Sequence, residues 1–392
     1  MKVLHALNSR AIEFKVLPPL SLYIHVPWCV RKCPYCDFNS HEARGEIPER
    51  EYVQALVRDL EMSLPMIWGR KVYTVFFGGG TPSLLSGDAV YEILRKVRML
   101  LPLSHDAEIT LEANPGTVEA GRFKAFRDAG VNRLSMGIQS FSDAHLKALG
   151  RIHTSDDARN AIDIAMRHFE NVNLDLMYAL PHQTFDEALQ DVKTALGFSP
   201  QHLSCYHLTL EPNTLFHRNP PEVPDDEESA DMQQGIEALL LEQGYQHYET
   251  SAFAKDGRRS RHNLNYWKFG DYLGIGAGAH SKLSFPDRVM RQMRFKQPRA
   301  YLEQENKVQT EEEVSLLGLP FEFMMNALRL NEGFDPSLFE ERTGLSFFSI
   351  QKELQEAERR GLIERDHRRI APTLLGRRFL NDLLTLFLSD KH

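Results

Sequence analysis

The chain has 392 residues, 42% hydrophobic and 26% charged, with a formal net charge of -8. This is globular composition, which excludes disorder, and the acidic balance excludes a global footprint for nucleic acid or anionic lipid. No segment approaches a membrane span, and Met1–Pro19 has only short apolar runs broken by His5, Asn8, Arg10 and Glu13, so the expected location is cytoplasmic, with any membrane contact made through partners.

From Leu20 onward, apolar runs alternate with amphipathic segments, which predicts parallel βα units. Strands are expected at Leu20–Val26, Val72–Phe77, Glu108–Glu112, Asn132–Ile138, Asn171–Met177 and His202–Leu210, with a further one at Gln246–Ala252. Helices near Tyr52–Met66, Ala89–Leu101, Glu119–Ala129, Asp156–Phe169, Phe185–Leu196 and Ser229–Gln243 separate them. The fold class is therefore α/β, a partial parallel (β/α)6-type barrel. Residues 1–19 read as an N-terminal extension and 20–302 as the barrel, with Leu273–Gly278 and Arg291–Arg299 as loops at its mouth. Residues 303–319, polar and with few apolar anchors, read as a linker. Residues 320–392 change to helices, a hairpin of Leu362–Glu364 with Arg368–Ala371, and a final helix to about Leu388, which predicts a winged-helix-like domain.

Between the first strand and the first helix lies Tyr23-Ile-His-Val-Pro-Trp-Cys29-Val-Arg-Lys-Cys33-Pro-Tyr-Cys36. Three of the four cysteines fall within eight residues, whereas a disulfide framework would spread them to close long loops. A closed structural zinc site wants four protein ligands. The remaining cysteine, Cys205, sits in an apolar strand and reads as a buried thiol. Three thiolates on a cubane leave one iron open to an exogenous chelator, so Cys29, Cys33 and Cys36 are the expected ligands of a [4Fe–4S] cluster.

In a parallel barrel, chemistry gathers at the C-terminal ends of the strands. Here those ends carry the cysteine loop, Gly78-Gly79-Gly80-Thr81, Glu112, Gln139 and Asp175. Glycines let backbone approach a ligand closely. Gln139 and Asp175 suit ribose hydroxyls, and the guanidinium fork of Arg151 suits a carboxylate.

The cysteine spacing and its position after a first strand resemble the radical-SAM superfamily. The surrounding words are similar to the branch of oxygen-independent coproporphyrinogen III oxidases, and within it to the HemW-type haem chaperones, from Leu20 to the last helix. The resemblance implies S-adenosylmethionine on the open iron, cleaved reductively to a 5′-deoxyadenosyl radical. It also implies a cofactor site made of Tyr23, Tyr35, Gly79, Gly80, Thr81, Glu112, Gln139, Arg151 and Asp175. The oxidases carry a further cysteine two places after the third ligand, where this chain has Phe38, and only 22 residues precede Tyr23, so an oxidase is not the expected activity.

His262-Asn263-Leu264-Asn265-Tyr266-Trp267 reads by itself as a structural histidine among aromatics. The resemblance instead implies haem binding at His262, Asn263, Tyr266 and Trp267, with His280 a competing candidate for the iron ligand. It implies respiratory haem proteins as acceptors, possible haem donors and a homodimer as partners. The C-terminal arginines, Arg359, Arg360, Arg365, Arg368, Arg369, Arg377 and Arg378, are interleaved with Glu353, Glu356, Glu358, Glu364 and Asp366. That mixture reads as a solvated face, with no nucleic acid expected.

Overall fold

The computed structural model describes residues 12–115 and 120–388. Six strands, β1 (Leu20–Val26), β2 (Val72–Gly79), β3 (Leu103–Ala113), β4 (Arg133–Gln139), β5 (Val172–Tyr178) and β6 (His202–His207), pair in parallel in chain order. Next come β7 (Gln246–Glu249), β8 (Ala252–Ala254), β9 (Asp271–Ile275), β10 (His280–Phe285), β11 (Arg288–Arg294) and β12 (Val308–Glu313). The sheet order is β12-β11-β10-β9-β1-β2-β3-β4-β5-β6-β8-β7, and its two ends do not pair, so the barrel is open.

The crossovers are α1 (Glu49–Ile67), α2 (Gly87–Leu100), α3 (Ala120–Ala129), α4 (Ser155–His168), α5 (Phe185–Leu196) and α6 (Asp226–Glu242). Their starts are encoded locally. Ser86 caps α2, while Thr154, Thr184 and Asp225 form reciprocal capping boxes with Asp157, Glu187 and Glu228. Alternation along each strand then divides two environments. Leu22, Ile24 and Val26 join Leu56, Val75, Phe77 and Leu111 in the core under the helices. Ser21, Tyr23 and His25 point the other way, into a polar barrel interior.

Beyond β6 the structure departs from expectation. Gln246–Ala252 is not one strand but part of an antiparallel hairpin, β7 and β8. Leu273–Gly278 is not simply a mouth loop, because β9 runs parallel to β1 and completes its other side. Arg291–Arg299 contributes to β11, and the expected linker contains β12, paired antiparallel to β11. Charged side chains at sheet positions hid these strands. Arg294 is buried against Asp59 at 3.0 Å, and Lys282 against Asp271 at 2.9 Å, so these ion pairs take core positions that apolar patterning cannot report.

The C-terminal region follows the expected sequence of helices, hairpin and helix. Helix α8 (Leu319–Ala327) and the hairpin Ile363–Arg365 with Ile370–Pro372 surround a second core that includes Phe323, Phe339, Leu354 and Leu383. Residues 1–11 of the expected extension lie outside the described residues, but Ile12 and Phe14 pack into this second core. Four of the arginines pair locally: Arg359 and Arg360 with Glu356, Arg365 with Glu358, and Arg369 with Glu364. Among the described residues no helix is long and apolar enough to cross a membrane.

Candidate functional site

The C-terminal ends of β1 to β5 form the barrel mouth, and the cysteine loop lies across it. The loop is held by its backbone: the Gly80 amide donates to the Val26 carbonyl at 2.7 Å and the Thr81 amide to the Trp28 carbonyl at 2.7 Å. The Ala43 amide donates to the Cys29 carbonyl at 2.9 Å. Lys32 ties the loop shut by donating to the carbonyls of Phe38 and Ser40, each at 3.2 Å. Cys29, Cys33 and Cys36 are half-buried free thiols, whereas Cys205 is buried in β6 with its thiol pushed up to about 12 by burial. Burial also pushes up Cys29 and Cys36; Thr81 and Ser40 hydrogen-bond the first, and the neighbouring thiols add to its rise.

The loop fits a thiolate-held cluster. Arg151 donates from Nη1 toward Cys33 Sγ at 3.7 Å and from Nη2 to Asn114 Oδ1 and the Gly137 carbonyl, both at 2.7 Å. Its Nε is buried with no partner, a donor left for something at the mouth. Among the described residues no three His, Cys, Asp or Glu side chains converge as on a single metal ion. A cubane distributes its ligands over different irons, so three thiols for one cluster need no common point.

Beside the thiols, glycine makes a cradle. Gly79 has φ +112°, and a Cβ there would collide with the His25 ring, while one at Gly80 would meet the Trp28 carbonyl. The Gly79 amide donates to Glu112 Oε2 at 3.3 Å. Burial, then the Asp175 charge, raises the Glu112 carboxyl to about 8, and burial raises Asp175 as well. Ser135 and Asn173 donate to Asp175 at 3.1 and 2.8 Å. Gln139, at the end of β4, has φ 68°, a strained geometry of the kind that gathers at ligand sites. Tyr35 is packed near Phe216, and burial raises its hydroxyl well above the usual tyrosine range. Thus Tyr23, Tyr35, Gly79, Gly80, Thr81, Glu112, Gln139, Arg151 and Asp175 all lie at one mouth with the cysteines.

The chain matches the Radical SAM superfamily model over residues 23–195 and the HemN C-terminal domain model over residues 314–379. It is 51% identical to Heme chaperone HemW of Escherichia coli, across 95% of this chain and 99% of that one. The chain belongs to the HemW family. It is also 47% identical to Heme chaperone HemW of Haemophilus influenzae, across 96% and 99% of the two chains, and 33% identical to that of Bacillus subtilis, across 94% and 99%. The solved structure of coproporphyrinogen III oxidase (HemN) from Escherichia coli superposes with a TM-score of 0.79, covering 95% of this chain and 91% of that one at 24% identity. That match gives the fold: a radical-SAM open barrel with a C-terminal helical domain.

The HNxxYW segment that the HemW resemblance singled out is elsewhere. It forms α7 (Arg261–Trp267), capped by Ser260, under the N-terminal ends of the strands. His262 is 1% exposed. Its Nδ1 and Thr74 Oγ1 are 2.7 Å apart, and since Thr74 gives its proton to Ser21, the imidazole is assigned as the donor. Its ring stacks on Phe76 at 4.9 Å, its amide donates to Glu108 at 3.0 Å, and Tyr266 packs against it at 5.2 Å. Asn263 is half-buried, and Trp267 carries Arg329 over its ring at 4.3 Å. The helix is a floor plug, so the expected haem residues are not brought to the mouth.

Three mouth residues escaped the sequence reading. His25 accepts from the Tyr23 hydroxyl at 3.0 Å and donates to the Asn39 carbonyl at 2.9 Å. Asn114 links Thr81 to Arg151. Asn39 donates to the carbonyls of Ala277 and Lys296. The alternation Tyr23, His25 was a usable signal for the first, and the position of Asn114 two residues after Glu112 for the second.

Proposed function

We propose that this chain is a radical-SAM haem chaperone that binds haem and delivers it to haem proteins, respiratory ones among them, from the cytoplasm. Cys29, Cys33 and Cys36 hold a [4Fe–4S] cluster, with S-adenosylmethionine on the iron they leave open. The observation that carries the reading is the run of relatives named Heme chaperone HemW, matched end to end, together with three free thiols beside a glycine cradle. The glycine loop takes the methionine end, and Arg151 brings positive charge and an unused buried N–H to the same place. Asp175, oriented by Ser135 and Asn173, and Gln139 take the ribose, and neutral Glu112 serves as a donor as well as an acceptor. When bound, the cluster supplies an electron to the sulfonium; the protein's part is placement and exclusion of water. Acceptors and donors of haem, and a homodimer, belong to this reading.

The test is anaerobic reconstitution with iron and sulfide, haem titration, and transfer to an apo haem protein. Saturable haem uptake and transfer are expected. Conversion of coproporphyrinogen to protoporphyrinogen would reject the chaperone in favour of an oxidase.

A further inference from the structure

The haem reading places the porphyrin on His262, Asn263, Tyr266 and Trp267, and the structure holds these residues covered. Resting on that reading, we propose that the haem site is closed by the chain's own C-terminal region, with Arg329 as a latch over Trp267, and that haem enters along this seam once the latch opens. Residues four apart on a helix share a face, so His262 and Tyr266 form one face of α7 and Asn263 and Trp267 the next. The first face packs into the barrel, with His262 on Phe76 and the Tyr266 and Tyr272 rings 4.5 Å apart. The second lies under the segment that follows α8. A porphyrin plate is far wider than any of these side chains, so haem reaches the helix only if that segment moves.

The cover over Trp267 is polar. The Arg329 guanidinium sits 4.3 Å above the indole, and its Nη2 donates to Glu249 Oε2 at 3.1 Å. Burial pushes the Glu249 carboxyl up and the Arg329 charge pulls it back only in part, so this pair does not fully offset its own desolvation. Three backbone ties continue the seam. The Thr250 amide donates to the Arg329 carbonyl and the Asn331 amide to the Tyr248 carbonyl, both at 3.1 Å, while the Asn331 side chain donates to the His247 carbonyl at 3.0 Å. Arg259, just before the Ser260 cap of α7, grips exposed Glu332 through two hydrogen bonds of 2.8 and 2.5 Å. A ring contact between the two regions, Phe269 on Phe323 at 5.8 Å, lies past the end of α7. Polar seams of this kind exchange their bonds for water on opening, unlike an apolar core.

The closed state also leaves polar atoms unserved. His262 Nε2, Trp267 Nε1 and Arg329 Nε are all buried without a partner, two of them on α7 and the third directly over it. Buried polar atoms in native structures are nearly always paired, so three around one short helix mark a place built for a ligand the closed form excludes. His262 is 1% exposed, and its free nitrogen has the chemistry of an iron ligand.

The experiment mixes the full-length reconstituted protein with ferric haem in a stopped-flow instrument, follows the Soret band, and measures hydrogen exchange of the α7 amides. The wild-type uptake rate is expected to level off as haem is raised, at the rate of latch opening. Glu332→Ala should raise that plateau and α7 exchange about two- to fivefold, the scale of an exposed ion pair, with the final spectrum unchanged. Arg329→Met, which strands Glu249 in a buried place, should raise both by about tenfold or more. Glu332 is exposed, so its variant reads the latch even where Arg329→Met loses its fold. Uptake that climbs in proportion to haem throughout, or a plateau and α7 exchange indifferent to Glu332→Ala, would overturn the latch. So would a wild-type Soret spectrum in His262→Ala of native circular dichroism, which would put the haem elsewhere. A wild-type protein with no saturable haem site would instead overturn the haem reading itself.

Discussion

The two ends of the barrel use the same polar residue types to opposite effect. At the floor, Ser21, Thr74, Glu108, His262 and Asn265 are committed to one another: Thr74 donates to Ser21 at 2.8 Å, Asn265 to Ser21 at 2.9 Å, and two α7 amides to Glu108. At the mouth, the thiols are half exposed, an Arg151 N–H has no partner, and Glu112 is kept neutral by burial. Residue type does not distinguish plug from site. What separates them is the balance: floor groups are largely spent on one another, although His262 Nε2 and Trp267 Nε1 keep no partner, whereas the mouth leaves its thiols half exposed beside an unpartnered Arg151 N–H.

The sharpest way to break this contrast is Cys33→Ala. The mouth account expects complete loss of cluster absorbance and of stoichiometric iron and sulfide, with unfolding free energy within about 0.5 kcal/mol of wild type, because the thiol supports no core. Loss of folding would mean that the loop is structural. At the floor the expectation reverses. His262→Ala removes a buried ring stacked on Phe76 and orphans Thr74, so urea unfolding should show a loss of about 3 kcal/mol while cluster content stays wild-type. An unchanged midpoint would remove the plug from the account.

The third contrast is in pH dependence. The Glu112 carboxyl rises from 4.5 to about 8, first through burial and then through Asp175. Between those values the folded chain keeps a proton that the unfolded chain has released, so the cofactor-free protein loses stability as pH rises across that window. Glu112→Gln cannot ionise and should flatten the profile between pH 5 and pH 8. A profile as steep as wild type would place the responsible proton elsewhere.

Much of the mouth was legible in the sequence because its parts sit at strand ends, and β1 to β6 announce themselves as apolar runs. The cysteine spacing needed no structure at all. Strands β9 to β12 were not legible, since Asp271, Lys282 and Arg294 occupy buried positions through ion pairs; Asp271 meets Arg70 across 201 residues as well as the nearby Lys282, and Arg294 meets Asp59 across 235. The same reason hid the floor. His262 reads in its own segment as a structural histidine, but only Thr74, 188 residues away, reveals where its Nδ1 is engaged. Asn39 was passed over because its partners, Ala277 and Lys296, lie in segments that read as loops.

The central claim is that the mouth presents three thiolates and leaves one cluster corner for an added nucleotide. It is tested most directly by EPR of the anaerobically reconstituted, reduced protein with and without S-adenosylmethionine. The account predicts a [4Fe–4S] signal whose g-values change on adding the cofactor in wild type and a signal absent in Cys33→Ala. Uptake of zinc in place of iron and sulfide, or a cluster signal indifferent to S-adenosylmethionine, would contradict it.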